Sequence, residues 1–455
     1  MMDVIAVFDI GKTNKKFLLF DLNLILIHQE EKVFGEIRDD DGFESDDIEG
    51  IVSWMKSRLA EAVRSEDYQV IALNFSSYGA SLMHLDHQGE RVTPLYNYLK
   101  PMPEGLTDEF YEAWGGVEEF SRITASPALG MLNSGLQLLW LKKMKPALFA
   151  RIRTTLHLPQ YLSRIFTGRE ASEYTSVGCH TAMWDFEKMQ YHAWLKAEKI
   201  KLPDPVVPSG VADVNIEGRT VRTGIGLHDS SASLVPYLKS SDRPFILVST
   251  GTWCIFMNPF NTEPLTADQL RNDTLCYLNI DSQQVKASRF FLGHIHDVNV
   301  ARLDDHFGVT DELYKTIKIK SQKIEKLLAS GNGRVFFRQG IPPGYVDEQA
   351  DLSHYLTYAD AYHQMICDLV DLCMESWRLI IPADDKTEIV YVTGGFARND
   401  TFVRFLAARL PDKRVYASQV ENSTALGAAM TIYESAVGKS LPPVYLGLKA
   451  IIDND

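Results

Sequence analysis

Residues 9–16 read Asp-Ile-Gly-Lys-Thr-Asn-Lys-Lys. Asp9 closes a short run of β-forming residues, and a glycine, a hydroxyl, an amide and two ammonium groups follow at once. This mixture suits phosphate. Gly11 lets successive backbone N–H groups converge on one anion, Thr13 and Asn14 add neutral donors, and Lys16 supplies charge. Lys12 either adds a phosphate contact or points to solvent. A carboxylate at Asp9 repels phosphate unless a cation stands between them. Mg2+ suits that place, because it keeps waters and takes one or two carboxylates plus substrate phosphates. A polar hairpin turn without any ligand uses the same residue types. Ser249-Thr250-Gly251-Thr252 is a second turn of this kind, far away in the chain. Two such hairpins facing each other could grip a polyphosphate from both sides of a cleft. Gly394-Gly395, followed by Arg398-Asn399 and a helical pattern, is a third element. Paired glycines allow a flat ligand close to the backbone, and a helix N-terminus favours negative charge. A plain strand-to-helix turn capped by Asn399 or Asp400 fits the same residues.

The elements that must carry these turns follow from periodicity. Residues 4–8, 16–21 and 24–27 are apolar β-type runs, the first two joined by the 10–14 turn. An amphipathic helix is predicted over 48–63 from Ile51, Val52, Met55, Leu59 and Val63. A buried strand, 70–75, runs into Ser76-Ser77-Tyr78-Gly79, and 107–200 reads as mostly helical. A Pro/Gly-rich stretch spans 202–226. Residues 245–257 then repeat the strand, Gly/Thr turn, strand pattern of 4–20. This echo predicts two related halves, 1–243 and 244–455. The second half closes with a helix over 358–381, a strand over 388–393 and helices over 400–410 and 424–437. Strands alternating with helices give a mixed α/β class.

Hydrophobic residues make up 45% of the 455-residue chain and charged residues 23%, which excludes a disordered or fibrous protein. The formal charge of −14 argues against a nucleic-acid binder or an anionic-membrane binder. Five cysteines without a C-x-x-C pair read as reduced thiols. The N-terminus lacks a basic region before its apolar run, and no stretch has the length of a membrane span. The expected compartment is therefore the cytoplasm.

Asp9-x-Gly11-x-Thr13-x-x-Lys16, Ser249-Thr250-Gly251-Thr252, Gly394-Gly395-x-x-Arg398-Asn399 and Thr424-Ala425-Leu426-Gly427 occur in this order. Together they resemble the FGGY family of carbohydrate kinases, within the actin, sugar kinase and Hsp70 superfamily. The resemblance covers nearly the whole chain. It implies two ribonuclease-H-like (actin-like ATPase) domains flanking a central cleft, with ATP and Mg2+ between them. It places Asp9, Gly11, Lys12, Thr13, Asn14 and Lys16 in the first phosphate loop. Thr250, Gly251 and Thr252 form the second, and Gly394, Gly395 and Asn399 lie at the adenosine. It also implies a catalytic aspartate late in the first half, and His228-Asp229-Ser230-Ser231-Ala232 matches. Small residues after Asp229 could begin a helix whose dipole favours the ionised carboxylate. Asp229 would accept the proton of the attacking sugar hydroxyl and, with Asp9, face the metal; a simple helix cap explains the same residue.

Ser77, Tyr78 and Gly79 stand where the family meets its sugar. Glu173-Tyr174-Thr175 is similar to the rhamnulokinase branch, which acts on 6-deoxy-ketoses; cap chemistry also explains these residues. The expected activity is phosphoryl transfer from MgATP to a ketose or 6-deoxy-ketose such as L-rhamnulose or L-fuculose. A pentulose or polyol kinase, or a non-catalytic nucleotide switch of the same superfamily, are the alternatives. Partners expected are a small-molecule sugar and a second copy in a homodimer, with neither nucleic acid nor membrane. The aromatic-x-Asp-x-Arg segment of many ketose kinases is replaced by Tyr96-Asn97-Tyr98-Leu99-Lys100. His294-Ile295-His296, read as a strand, has two imidazoles on one face but no third ligand at a suitable spacing, so zinc is not expected.

Overall fold

The computed structural model describes residues 1–309, 312–329 and 333–451. Met2–Ile10 and Lys15–Asp21 form an antiparallel hairpin in which Asp9 lies opposite Lys16 and Ile10 opposite Lys15. Side chains alternate between the faces of a strand, so this register sorts the polar residues. Ile5, Val7, Leu18 and Phe20 bury on one face, with Asp9 and Lys16 continuing their rows. Val4, Ala6, Phe8, Ile10, Phe17 and Leu19 bury on the other, with Lys15 continuing that row.

Leu26–Lys32 extends the hairpin on one side, and Tyr68–Ser77 pairs with Met2–Ile10 in parallel on the other. Leu227–His228 joins Tyr68–Ser77, also in parallel. The second sheet repeats this wiring. Phe245–Thr250 and Cys254–Asn258 form its hairpin, Gln284–Phe290 extends it, and Ile389–Gly394 pairs in parallel with Phe245–Thr250. The echo between residues 4–20 and 245–257 is thus an equivalence of topology: mixed α/β, with one seven-stranded sheet in each half.

Two helices pack on sheets other than those their sequence position suggests. Ser423–Val437 follows the second sheet but buries Ala425, Ala428, Ala429 and Ile432 against Ile5, Val7 and Ala72 of the first. Asp229–Ser240 follows the first sheet, yet Leu234 and Tyr237 bury against Phe245, Leu247 and Tyr391 of the second. The two helices cross where Gly427 meets Ala232; any Cβ at Gly427 would sit on the Ala232 carbonyl oxygen. The small residues of 424–429 therefore serve close approach of two helices.

Three local expectations change. The 202–226 stretch contains a hairpin, Val211–Ile216 with Arg219–Gly224, on the edge of the first sheet, turned at Glu217 and Gly218, both with positive φ. Residues 107–200 hold several short helices with short strands between them. His294 and His296 lie not in a strand but in the helix Leu292–Phe307. His294 stacks on Phe291, while His296 turns inward to Tyr362. All five cysteines are buried and unpaired.

Candidate functional site

Three parallel strands of the first sheet end side by side. Their register puts Asp9 beside Ser76 and Ser76 beside Leu227, then Ile10 beside Ser77 and Ser77 beside His228. Ligands of open α/β sheets bind beyond such carboxyl ends. The residues that emerge there are Gly11, Tyr78-Gly79 and Asp229, so the register brings the first phosphate loop, the 77–79 segment and Asp229 to one edge.

Asp9 accepts a hydrogen bond from Thr424 Oγ1 at 2.7 Å. Burial pushes its carboxyl up to about 6 against the pull of that bond, and the nearby Asp229 raises it further while Lys16 lowers it. Asp229 is the first residue of the helix Asp229–Ser240, with His228 at the cap position. Burial raises its carboxyl to about 6, opposed by the backbone and side chain of Ser230. His228 Nε2 lies 3.2 Å from Asp229 Oδ1, and burial pushes this imidazole down to about 4, so it is neutral at pH 7. A neutral imidazole donating to a carboxylate fixes its orientation. Two desolvated carboxylates, Asp9 raised further by the charge of Asp229, are a donor set for a divalent cation.

The glycine turn 11–14 is closed by Gly11 N–H donating to Asn14 O at 3.0 Å, with Thr13 and Asn14 exposed. Lys16 Nζ reaches Asn422 Oδ1 at 3.0 Å, on the same face as Asp9. Lys12 points elsewhere. Its ammonium lies 2.6 Å from Asp46 Oδ2, and Asp46 also accepts from Lys15 Nζ at 3.1 Å and Tyr78 OH at 2.9 Å.

The second half builds its own edge. Thr250 Oγ1 donates to Thr393 O at 2.5 Å and accepts from Phe396 N at 3.0 Å, tying the second turn to the Gly394-Gly395 loop. Gly394 has φ +85°, and a Cβ there would collide with Thr250 O. Gly251 and Thr252 stay exposed. A cavity of about 520 Å³ opens beside them, lined among others by Gly251, Thr252, His296, Tyr314, Gly395 and Asn399. Asn399 caps Asp400–Ala408 through Phe402 N and donates to Tyr362 OH at 2.7 Å; Tyr362 OH meets His296 Nε2 at 3.2 Å. Small backbone at one wall and aromatic rings at another suit a flat heterocycle.

The 173–174 segment is differently placed. Glu173 caps the short helix Tyr174–Val177, accepting from Thr175 N, Thr175 Oγ1, Ser176 N and Ser176 Oγ at 2.7–3.1 Å. Its carboxylate is fully engaged, in keeping with the cap alternative. Tyr174 packs on Trp184, and Thr175 Oγ1 accepts from His228 N at 3.0 Å, linking the segment to the residue that precedes Asp229. Ser77 is buried, with its hydroxyl near Tyr78 O, and Gly79 leaves room for the His228 ring.

The sequence reading gave no role to Asp46, Tyr98, Asn422, Thr424, His296 or Tyr362. Thr424 alone had a local signal, at the start of the 424–429 small-residue run; the others meet their partners only through tertiary contact.

Residues 4–216 match the FGGY family of carbohydrate kinases, N-terminal domain. A rhamnulokinase of Halalkalibacterium halodurans is 24% identical over 259 residues, which is 54% of this chain and 52% of that protein. A rhamnulokinase of Oceanobacillus iheyensis is 23% identical over 222 residues, 46% of each. The matches thus span about half the length of these curated relatives. A carbohydrate kinase from Novosphingobium aromaticivorans shares the fold with a TM-score of 0.78 at 23% identity, over 98% of this chain and 96% of that one. A xylulose kinase from Lactobacillus acidophilus does so with a TM-score of 0.71 at 17% identity, over 99% and 93%. Residues 4–216 thus form an N-terminal domain of the FGGY carbohydrate kinase type, and the whole chain, with two sheets of repeated topology, shares the fold of solved carbohydrate kinases.

Proposed function

We propose that this protein is an ATP-dependent sugar kinase that transfers the γ-phosphoryl group to a hydroxyl of a ketose or 6-deoxy-ketose such as L-rhamnulose or L-fuculose. The observation that carries this reading is Asp229. It sits at the edge shared by Asp9, Gly11 and Tyr78, desolvated, tethered by His228, and spare of any cation partner among the described residues. A carboxylate raised to about 6 is still ionised at pH 7 and is a stronger base than an ordinary aspartate. In phosphoryl transfer the protein mostly positions groups and neutralises charge. Asp229 takes the proton of the attacking hydroxyl. Gly11, Thr13, Asn14 and Lys16 from one half and Thr250, Gly251 and Thr252 from the other hold the phosphates. Gly394, Gly395 and Asn399 border the adenosine, and Ser77, Tyr78, Gly79, Glu173 and Tyr174 frame the sugar side. Asp9 and Asp229 fit Mg2+, which when bound screens the phosphate charge. Halves 1–243 and 244–455 close on the ligands about a hinge near 243–246, keeping water from the γ-phosphate. The choice of sugar rests on the rhamnulokinase similarity and on the Glu173-Tyr174-Thr175 segment.

The test is ADP release against a panel of ketoses, aldoses and polyols, with ATP and Mg2+. ADP formation dependent on a ketose supports the reading. ATP binding with no sugar-dependent ADP from any member overturns it and leaves a nucleotide switch.

A further inference from the structure

The cluster around Asp46 is not explained by phosphate binding. Asp46 is a buried carboxylate with two lysines. Lys15 is 1% exposed, so its ammonium cannot leave, and its single charge is enough to balance Asp46 without Lys12. Lys12 is therefore a surplus cation. Its side chain is 23% exposed, and among the described residues only Asp46 Oδ2 takes one of its donors. Its ammonium lies 5.9 Å from the ring centres of both Tyr78 and Tyr98, which stand 6.2 Å apart, edge to face. This cluster, with Lys15 and Tyr78, is on the opposite face of the hairpin from Asp9 and Lys16.

The cluster also adjoins the base. Tyr78 N–H bonds to Ile10 O at 3.2 Å, and Tyr78 follows Ser77, whose register partner is His228, the residue before Asp229. Tyr98 is half-buried, and its hydroxyl has no hydrogen-bond partner among the described residues. Burial raises its pKa first, and the charges of Asp46 and Asp229 add to this, so the ring feels both. An ammonium with spare donors, a hydroxyl without a partner and two aromatic faces match a polyol chain. Neighbouring hydroxyls take the polar groups and C–H edges lie on the rings.

We propose that Lys12 and Tyr98, braced by Asp46, form the wall of the sugar pocket that reads hydroxyls remote from the phosphorylated one. Lys12 is then a specificity residue and not a phosphate ligand. This rests on the sugar-kinase reading above. Sites built to hydrogen-bond a hydroxyl discriminate strongly against analogues that lack it.

Lys12→Met tests it, because Asp46 keeps Lys15 and Tyr78 as partners; Tyr98→Phe is the conservative second variant. The probe is whichever of L-rhamnulose, L-fuculose and D-xylulose the wild type phosphorylates fastest. In both variants the sugar KM should rise about 10- to 100-fold, the loss of one hydrogen bond made by a charged or unpaired group. The ADP Kd should change less than about twofold, since no phosphate contact is lost. A weakened ADP Kd with an unchanged sugar KM makes Lys12 a phosphate ligand and overturns the proposal. Unchanged values for both make the cluster structural and overturn it as well. A wild type inactive on all three sugars refutes the kinase reading first, which separates the two failures.

Discussion

Replacing Asp229 by Asn should abolish turnover and at the same time stabilise the ligand-free protein. The carboxyl has a pKa of about 6 in the folded chain against the ordinary 3.8. Each pKa unit is about 1.4 kcal/mol, so holding the ionised form costs about 3 kcal/mol at neutral pH, an upper figure that the asparagine relieves. The sign follows from linkage. A carboxyl whose folded pKa is raised contributes fully below pH 3.8 and loses that contribution as pH rises through 6. The variant's advantage therefore opens between about pH 4 and 6 and is flat above. The assay is thermal unfolding at several pH values from 5 to 8, in chelator so that no cation compensates the charge. A gain of roughly 5 °C at pH 8 is expected, shrinking toward pH 5. Turnover on the active sugar should fall by about 10² to 10⁴, the usual share of a general base, while the ADP Kd stays within about twofold. A variant less stable than wild type, or a gap that does not change with pH, means that Asp229 is not a desolvated anion, and the case for it as a poised base fails.

Gly427→Ala should destabilise the chain by about 3 kcal/mol or more, because its methyl meets the Ala232 carbonyl oxygen at the helix crossing; urea unfolding reads this, and a neutral outcome means the crossing is loose. Thr250→Val removes the bonds to Thr393 O and Phe396 N and should raise the KM for ATP about tenfold at little change in the sugar KM. Small-angle scattering should show a smaller radius with sugar and a non-hydrolysable ATP analogue together than with neither, and identical profiles refute closure.

The two glycine turns at 11–14 and 250–252 and the paired-glycine loop at 394–395 were legible as turns because their residue types are contiguous. Glycine, hydroxyl and charge fall within a few residues, and each turn closes a strand recognisable from its own apolar run. Thr250 shows the limit: its hydroxyl is spent on Thr393 and Phe396, a tertiary bond 143 residues away in the chain. Lys12 shows another. Nothing in residues 9–16 announces that Asp46 claims its ammonium, since the partner lies on a different hairpin. The histidines at 294 and 296 read as a strand because alternation over three residues is also compatible with a helix, and only packing on Phe291 and Tyr362 decides it. The apolar pattern of 424–437 announced a buried helix but carried no mark of which sheet would receive it.

Asp9 ends a strand of the first sheet, yet Thr424, whose hydroxyl holds it, enters from the chain of the second half. Asp229 follows a strand of the first sheet, yet its helix packs under the second. Each carboxylate is thus tied to both halves. Closure about the proposed hinge near 243–246 has to keep the contact of Gly427 with Ala232, because backbone against backbone there leaves no side chain to slide. Asp229 lies one helical turn before Ala232, and Thr424 one turn before Gly427, since a turn spans 3.6 residues. Next to a contact that is kept, displacements are small. In the proposed closure the two acidic groups would keep their mutual geometry, and the loops at 250–252 and 394–399, further from this contact, would move more. The sugar-kinase reading proposed above uses this division: Asp9 and Asp229 stay in place, and closing the nucleotide side adds only the missing phosphate contacts.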